Sequence, residues 1–181
     1  MPDAYLLDTS VAAIAWDGGH PDHTIIRSRL AALSDDSISV CAISIGEKEY
    51  GLQVSRGVDL ARQQAIRNAL QQYNVWSIDH HTAAIYGELR GTLFKRYGTW
   101  KKRDRLKEKQ PEQLIDRTTA RELGIQENDL WIVSIAIQYD LRFITRDGGE
   151  GMRRILEIAE EAFGYNRVEL WKIPILPSET T

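Results

Sequence analysis

Asp8, Glu47, Asp129 and Asp147 are the residues of this chain best suited to chemistry, because each stands where a strand should end or a helix should begin. In a right-handed β-α-β unit the helix starts at the carboxyl edge of the sheet and returns antiparallel to the strands. Asp8 directly follows the apolar run Ala4-Tyr5-Leu6-Leu7, and Asp147 follows Arg142-Phe143-Ile144-Thr145 with Arg146 between. Glu47 falls in the first turn of the helix after the second strand, and Asp129 in the first turn of the helix leading to the Arg142 strand. All of them are thus expected at one edge, where open α/β sheets bind ligands. Carboxylates crowded in this way cannot all stay ionised without a cation, since each raises the pKa of its neighbours. Oxygen donors select Mg²⁺ or Mn²⁺ over zinc, for which the chain offers no thiolate–imidazole set. Such an ion suits phosphodiester hydrolysis by a metal-activated water.

Each acid also has an ordinary explanation. Asp8 with Thr9 and Ser10 could cap a helix, and Ser44-Ile45-Gly46-Glu47 has the form of a capping box. Asn128-Asp129 suits a helix start, where negative charge is favoured, and Asp147 before Gly148-Gly149 suits a turn. Space separates the two readings: helix caps need not meet one another, whereas ligands must.

The elements that would position these acids follow from the pattern of apolar residues. The first run is continuously apolar, as in a strand buried on both faces of a parallel sheet. Helices are expected over Val11–Trp16, Asp22–Ser34, Ser44–Val54, Asp59–Gln72 and Thr82–Tyr97, with strands at Ile38–Ile43 and Val75–Ile78. A polar segment from Gly98 to Gly124 carries an expected helix over Glu112–Leu123. Asp129–Tyr139 is apolar nearly all round, which marks a buried helix. Arg142–Thr145 and Val168–Trp171 read as strands flanking a helix with Met152, Ile155, Leu156, Ala159 and Phe163 on one face. Alternating strands and helices predict an α/β domain with a mostly parallel sheet and helices on both faces.

A length of 181 residues suits a single domain, and 43% hydrophobic with 27% charged residues is the composition of a soluble globular protein. No apolar run approaches the roughly 20 residues that span a bilayer. Met1-Pro2-Asp3-Ala4 lacks the basic start and apolar stretch of a signal peptide. Cys41, the single cysteine, reads as a buried strand thiol. A cytoplasmic protein is expected. The formal charge of −3 argues against a wholly basic nucleic-acid-binding face. Within it, Lys95, Arg96, Lys101, Lys102, Arg103, Arg105, Lys107 and Lys109 form the most basic stretch, interleaved with Tyr97 and Trp100. Lys101, Lys102 and Arg103 are candidate RNA contacts, with aromatics to stack on bases. The competing reading is a solvated helix face with Asp104 and Glu108 as partners. His80 and His81 are adjacent and read as a surface turn rather than a shared metal site.

In order along the chain, Tyr5-Leu6-Leu7-Asp8-Thr9-Ser10, Ile43-Ser44-Ile45-Gly46-Glu47 with Tyr50-Gly51, the helix bearing Ala83, Ala84, Tyr86, Gly87, Arg90 and Leu93, Asn128-Asp129-Leu130-Trp131-Ile132, and Ile144-Thr145-Arg146-Asp147 resemble the PIN-domain ribonucleases. The resemblance is closest to the VapC-type toxins of toxin–antitoxin pairs, and Val168-Glu169-Leu170-Trp171 extends it to the tail. The chain departs from that pattern in the length of Gly98–Gly124, in Ser134 and in Gly151. The resemblance implies a PIN-like fold, an RNA endonuclease using Mg²⁺ or Mn²⁺, a homodimer, and a small inhibiting antitoxin. It makes Asp8, Glu47, Asp129 and Asp147 the metal-site acids, with Asp8 and Asp129 as direct ligands. Ser10 and Thr145 would support them, and Glu150 would be a further, non-essential acid. Two other functions share these features: another metal-dependent phosphoesterase, or a non-catalytic PIN-like module binding RNA or protein.

Overall fold

The computed structural model describes residues 4–33, 38–55, 57, 59–98, 110–116, 119 and 121–172. Lys101, Lys102 and Arg103 lie outside them, as do Trp100 and the rest of the basic stretch beyond Arg96. Strands β1 (Tyr5–Leu7), β2 (Ile38–Cys41), β3 (Asn74–Trp76), β4 (Arg142–Thr145) and β5 (Val168–Leu170) form one sheet in the order β3-β2-β1-β4-β5. Every pairing is parallel, with Leu7 opposite Ile144 and Tyr5 opposite Ile38. The helices are α1 (Thr9–Trp16), α2 (His23–Ala31), α3 (Ala42–Val54), α4 (Leu60–Leu70), α5 (His80–Tyr97), α6 (Glu127–Gln138) and α7 (Glu150–Phe163). None of them, among the described residues, is long and apolar enough to cross a membrane.

Successive strand residues point to opposite faces, and each face must be covered. Leu6, Cys41 and Phe143 lie in one apolar cluster with Leu89 and Leu93 of α5, Leu130 and Val133 of α6, and Ile155 of α7. Their neighbours Leu7, Val40 and Ile144 lie in a second cluster with Val11 and Ala15 of α1, Ile26 of α2 and Ile66 of α4. This two-sided burial is why β1 reads as an unbroken apolar run and why β4 carries the adjacent apolar pair Phe143-Ile144.

Element starts differ from the sequence expectation where side chains close the backbone early. The second strand ends at Cys41, because α3 begins at Ala42 and turns Ile43 onto the core. Helix α5 begins at His80, where the Asp79 side chain accepts from the backbone N–H groups of His81 and Thr82, and Asp79 N–H in turn donates to Thr82 Oγ1.

The helix expected over Glu112–Leu123 does not form among the described residues. Pro111–Gln113 makes a single 3-10 turn, and Ile115 and Glu122 pair in an antiparallel bridge. Leu123 N–H donates to Leu114 O at 2.9 Å and Asp116 N–H to Arg121 O at 2.8 Å. The apolar residues decide this outcome: Leu114, Leu123 and Ile125 are all buried in the cluster beneath α5 and α6, and a looped-back chain delivers all three.

That loop sets the entry to α6. Gly124 adopts φ +70°, a left-handed conformation that glycine tolerates without cost. A Cβ on Gly151 would lie 1.7 Å from Gly124 O, so the first turn of α7 is pressed directly on the loop. The buried Arg154 donates to Leu123 O at 2.9 Å and fixes the same loop. Gly151 therefore stands where a side chain has no room. Gly151→Ala should destabilise the protein by roughly 1–3 kcal/mol, the usual cost of overpacking. The thermal midpoint should fall by several degrees, and an unchanged midpoint would refute the close approach.

Candidate metal centre

The sheet brings the acids to one edge. Asp8 follows β1 and donates its backbone N–H to Ile144 O at 2.8 Å, so it sits against β4. Asp147 lies two residues past the end of β4, Glu47 projects from the first half of α3, and Asp129 from the first turn of α6. Asp129 feels the charges of Asp8, Asp147 and Glu47, and Asp8 feels that of Glu47. The four acids therefore share one electrostatic neighbourhood.

Local structure removes two of the ordinary explanations. Asp8 is the residue before α1, yet its side chain makes no capping hydrogen bond. Helix α3 starts before Ser44, whose side chain is fully buried, so Ser44 and Glu47 form no capping box. The turn explanation holds for part of Asp147, whose Oδ1 accepts from Gly149 N–H at 2.7 Å.

Asp8 is 4% exposed and takes hydrogen bonds on Oδ2 from Ser10 Oγ at 2.5 Å and Thr145 Oγ1 at 2.7 Å. The same hydroxyls tie in the β4 loop: Arg146 N–H donates to Ser10 Oγ and Asp147 N–H to Thr145 Oγ1. Thus Thr145 links the first acid to the backbone of the fourth, and Ser10 links it to that of Arg146. Burial raises the Asp8 pKa most, and the Ser10 and Thr145 hydroxyls only partly offset it.

Glu47 is held by residues that sequence patterns did not single out. Thr9 donates a short hydrogen bond to Oε2, and Asn128 Nδ2 donates to Oε1 at 2.7 Å. Ser44 Oγ lies 2.9 Å from the Thr9 hydroxyl. Because a carboxylate only accepts, the single Thr9 proton goes to Glu47, and Ser44 donates to Thr9. The only available signal was adjacency, Thr9 beside Asp8 and Asn128 beside Asp129. Glu150 stands apart: it is exposed at the start of α7 and pairs with Arg154 at 3.0 Å.

Asp129 is the odd member. It accepts no hydrogen bond among the described residues, and burial, then Asp8, Asp147, Glu47 and Glu112, push its pKa up to about 7. A half-buried carboxylate with no donor, facing other carboxylates, has the environment of a cation ligand. Among the described residues, however, no three acidic, histidine or cysteine side chains are disposed to hold an ion by themselves. The donor set fits a hydrated Mg²⁺ or Mn²⁺, which keeps several waters and uses one or two carboxylates plus phosphate oxygens. It does not fit a closed cage of protein ligands.

A PIN-domain family model matches residues 5–156, most of the length. The chain belongs to the PIN-domain family. Among solved structures, the PIN fold seen here is similar to that of VapBC2 from Rickettsia felis bound to a promoter DNA fragment, with TM-score 0.59 and 20% identity over 93% of this chain and 99% of that one. DNA-bound VapBC from Salmonella typhimurium gives TM-score 0.58 and 17% identity over 94% and 99%. A toxin–antitoxin complex from Klebsiella pneumoniae gives 0.54 and 17% over 94% and 100%. No curated protein matches in sequence. The PIN domain thus extends through the four acids, including Asp147.

The raised Asp129 pKa predicts a pH-dependent stability without metal. Unfolded, this carboxyl should ionise near ~4, but folded it keeps its proton to about 7. Between those values the folded protein binds more protons, so rising pH favours unfolding, by at most about 1.4 kcal/mol per pH unit. In chelator the thermal midpoint should fall from pH 5 to pH 8. Asp129→Asn should flatten that fall, and Mg²⁺ should raise the midpoint at pH 8 in the wild type by mass action. A wild-type profile as flat as that of Asp129→Asn would contradict the assignment.

Proposed function

We propose that this PIN domain is an Mg²⁺- or Mn²⁺-dependent endoribonuclease of the VapC type. The observation that carries the reading is Asp129, a carboxylate without a donor, beside Asp8, Asp147 and Glu47 at the carboxyl edge of the sheet. Asp8 and Asp129 hold the ion, while Glu47 and Asp147 complete its surroundings or orient the attacking water. When bound, the ion would supply charge neutralisation at the phosphodiester and lower the pKa of that water.

The protein's own groups do the positioning. Ser10 and Thr145 both donate to Oδ2 of Asp8 and fix the plane of the carboxylate that would hold the ion. Thr9 and Asn128 fix the plane of the Glu47 carboxylate. RNA is the substrate, a second copy of the chain and a small antitoxin are its partners, and the cytoplasm is its compartment. Support for the toxin assignment comes from fold similarity to VapBC and toxin–antitoxin structures together with the ordered motifs.

Defined RNAs incubated with Mg²⁺, with chelator, and with Asp8→Asn protein test this directly. Cutting should require the metal and vanish in Asp8→Asn. Thr145→Val, which removes one donor to Asp8, should slow cutting by about 10- to 100-fold, as loss of a partner to a metal ligand generally does. Hydrolysis of a small phosphate ester with RNA left intact would replace this reading with a general phosphoesterase. Binding without turnover would replace it with a non-catalytic module.

A further inference from the structure

Among the described residues, hollows lie on two sides of the acids, and they differ in character. The one beside Asp147 and Gly148, between α7 and β5, carries Glu157 and Glu160 on its wall. With Asp147 these outnumber the one cation of the described lining, Arg153, which already pairs with Glu157, so a phosphodiester chain would be repelled there. The other, about 300 Å³, lies against Glu47 and is lined by Ala42, Ile43, Gly46, Tyr50 and Asn128.

Tyr50 is 69% exposed and makes no hydrogen bond or ring contact among the described residues. Its surroundings follow from the helix. Side chains on a helix lean toward its N-terminus and lie over the residue four positions earlier. For Tyr50 that residue is Gly46, which has no side chain; a Cβ placed there would meet nothing within 4 Å, the Tyr50 ring included, so the space between them is open. The ring therefore borders an open hollow that it shares with Glu47 and that a larger residue at 46 would have partly filled. Asn128 closes the far side with its amide already bonded to Glu47, so the hollow and the acid site share a wall.

We infer that Tyr50, across an open hollow from the side-chain-free Gly46, is a stacking platform for an unpaired base of the RNA next to the scissile phosphate. Every base has a π-face, so an exposed ring one helical turn from a catalytic acid can hold a single-stranded substrate in register without reading its sequence. Ile43 supplies an apolar floor, and Asn128 presents an amide at the base edge. This inference rests on the nuclease reading above, and it makes Tyr50 a positioning residue for that reaction.

The test is a cycle between protein and substrate. Single-stranded RNA is prepared with an intact or an abasic nucleotide beside the cut phosphate, and binding and single-turnover cleavage are measured in Mg²⁺. Tyr50→Ala should weaken binding of intact RNA by roughly 5- to 100-fold, the range for losing one stacked base, and Tyr50→Phe should restore it. The abasic nucleotide should weaken wild type by the same factor yet leave Tyr50→Ala unchanged, because the two changes remove one contact. Gly46→Ile, which puts a side chain into the hollow beside the ring, should mimic Tyr50→Ala. If wild type cuts RNA while Tyr50→Ala binds and cuts equally well, the platform is refuted and the nuclease reading stands. If wild type neither binds nor cuts RNA, both fall. A change of oligomeric state in Tyr50→Ala, with RNA binding intact, would assign the ring to contact between copies of the chain and refute the platform.

Discussion

Burial of crowded carboxylates, and after it their mutual repulsion, is the constraint on which the rest of this molecule depends. Asp8, Glu47, Asp129 and Asp147 come from four separate parts of the chain, and holding them near one another costs free energy that neutral residues would not. The protein offsets part of the cost with hydroxyl and amide donors: Ser10 and Thr145 on Asp8, Thr9 and Asn128 on Glu47. Asp129 receives none, so its share of the cost is left for a proton or a cation to offset. An arrangement so selectively unbalanced is what a site for a hydrated divalent ion requires.

The fold exists in a form that makes this crowding possible. All five strands run parallel, so every helix that follows a strand begins at the same edge. Placing β1 at the centre, between β2 and β4, puts the exit of Asp8 beside both the start of α3 and the β4 loop. Helix α6 enters from a different direction and needs its own anchor. Gly124, Gly151 and Arg154 provide it, clamping the loop that sets the first turn of α6, and with it Asp129.

Much of this was legible in the chain because buried parallel strands leave continuous apolar runs. Leu6, Leu7, Phe143 and Ile144 announce β1 and β4, and the acid after each run marks the edge without further information. Glu47 was harder, since Ser44 and Glu47 have the spacing of a capping box. Only coordinates show that the helix starts at Ala42 and that Ser44 is buried under Thr9. The contacts of Thr9 and Asn128 to Glu47 span 38 and 81 residues, and no local pattern encodes them. The segment after Gly98 misled for the opposite reason. Its polar residues allow a helix locally, but the demand for Leu114, Leu123 and Ile125 in the core overrides that preference.

The most direct test of the account is to locate the ion itself. Crystals soaked in Mn²⁺ and measured at the manganese absorption edge should show one dominant anomalous peak bonded to carboxylate oxygens of Asp8 and Asp129, lost in Asp129→Asn crystals. A peak elsewhere on the surface, or none at this edge of the sheet under saturating Mn²⁺, would contradict it.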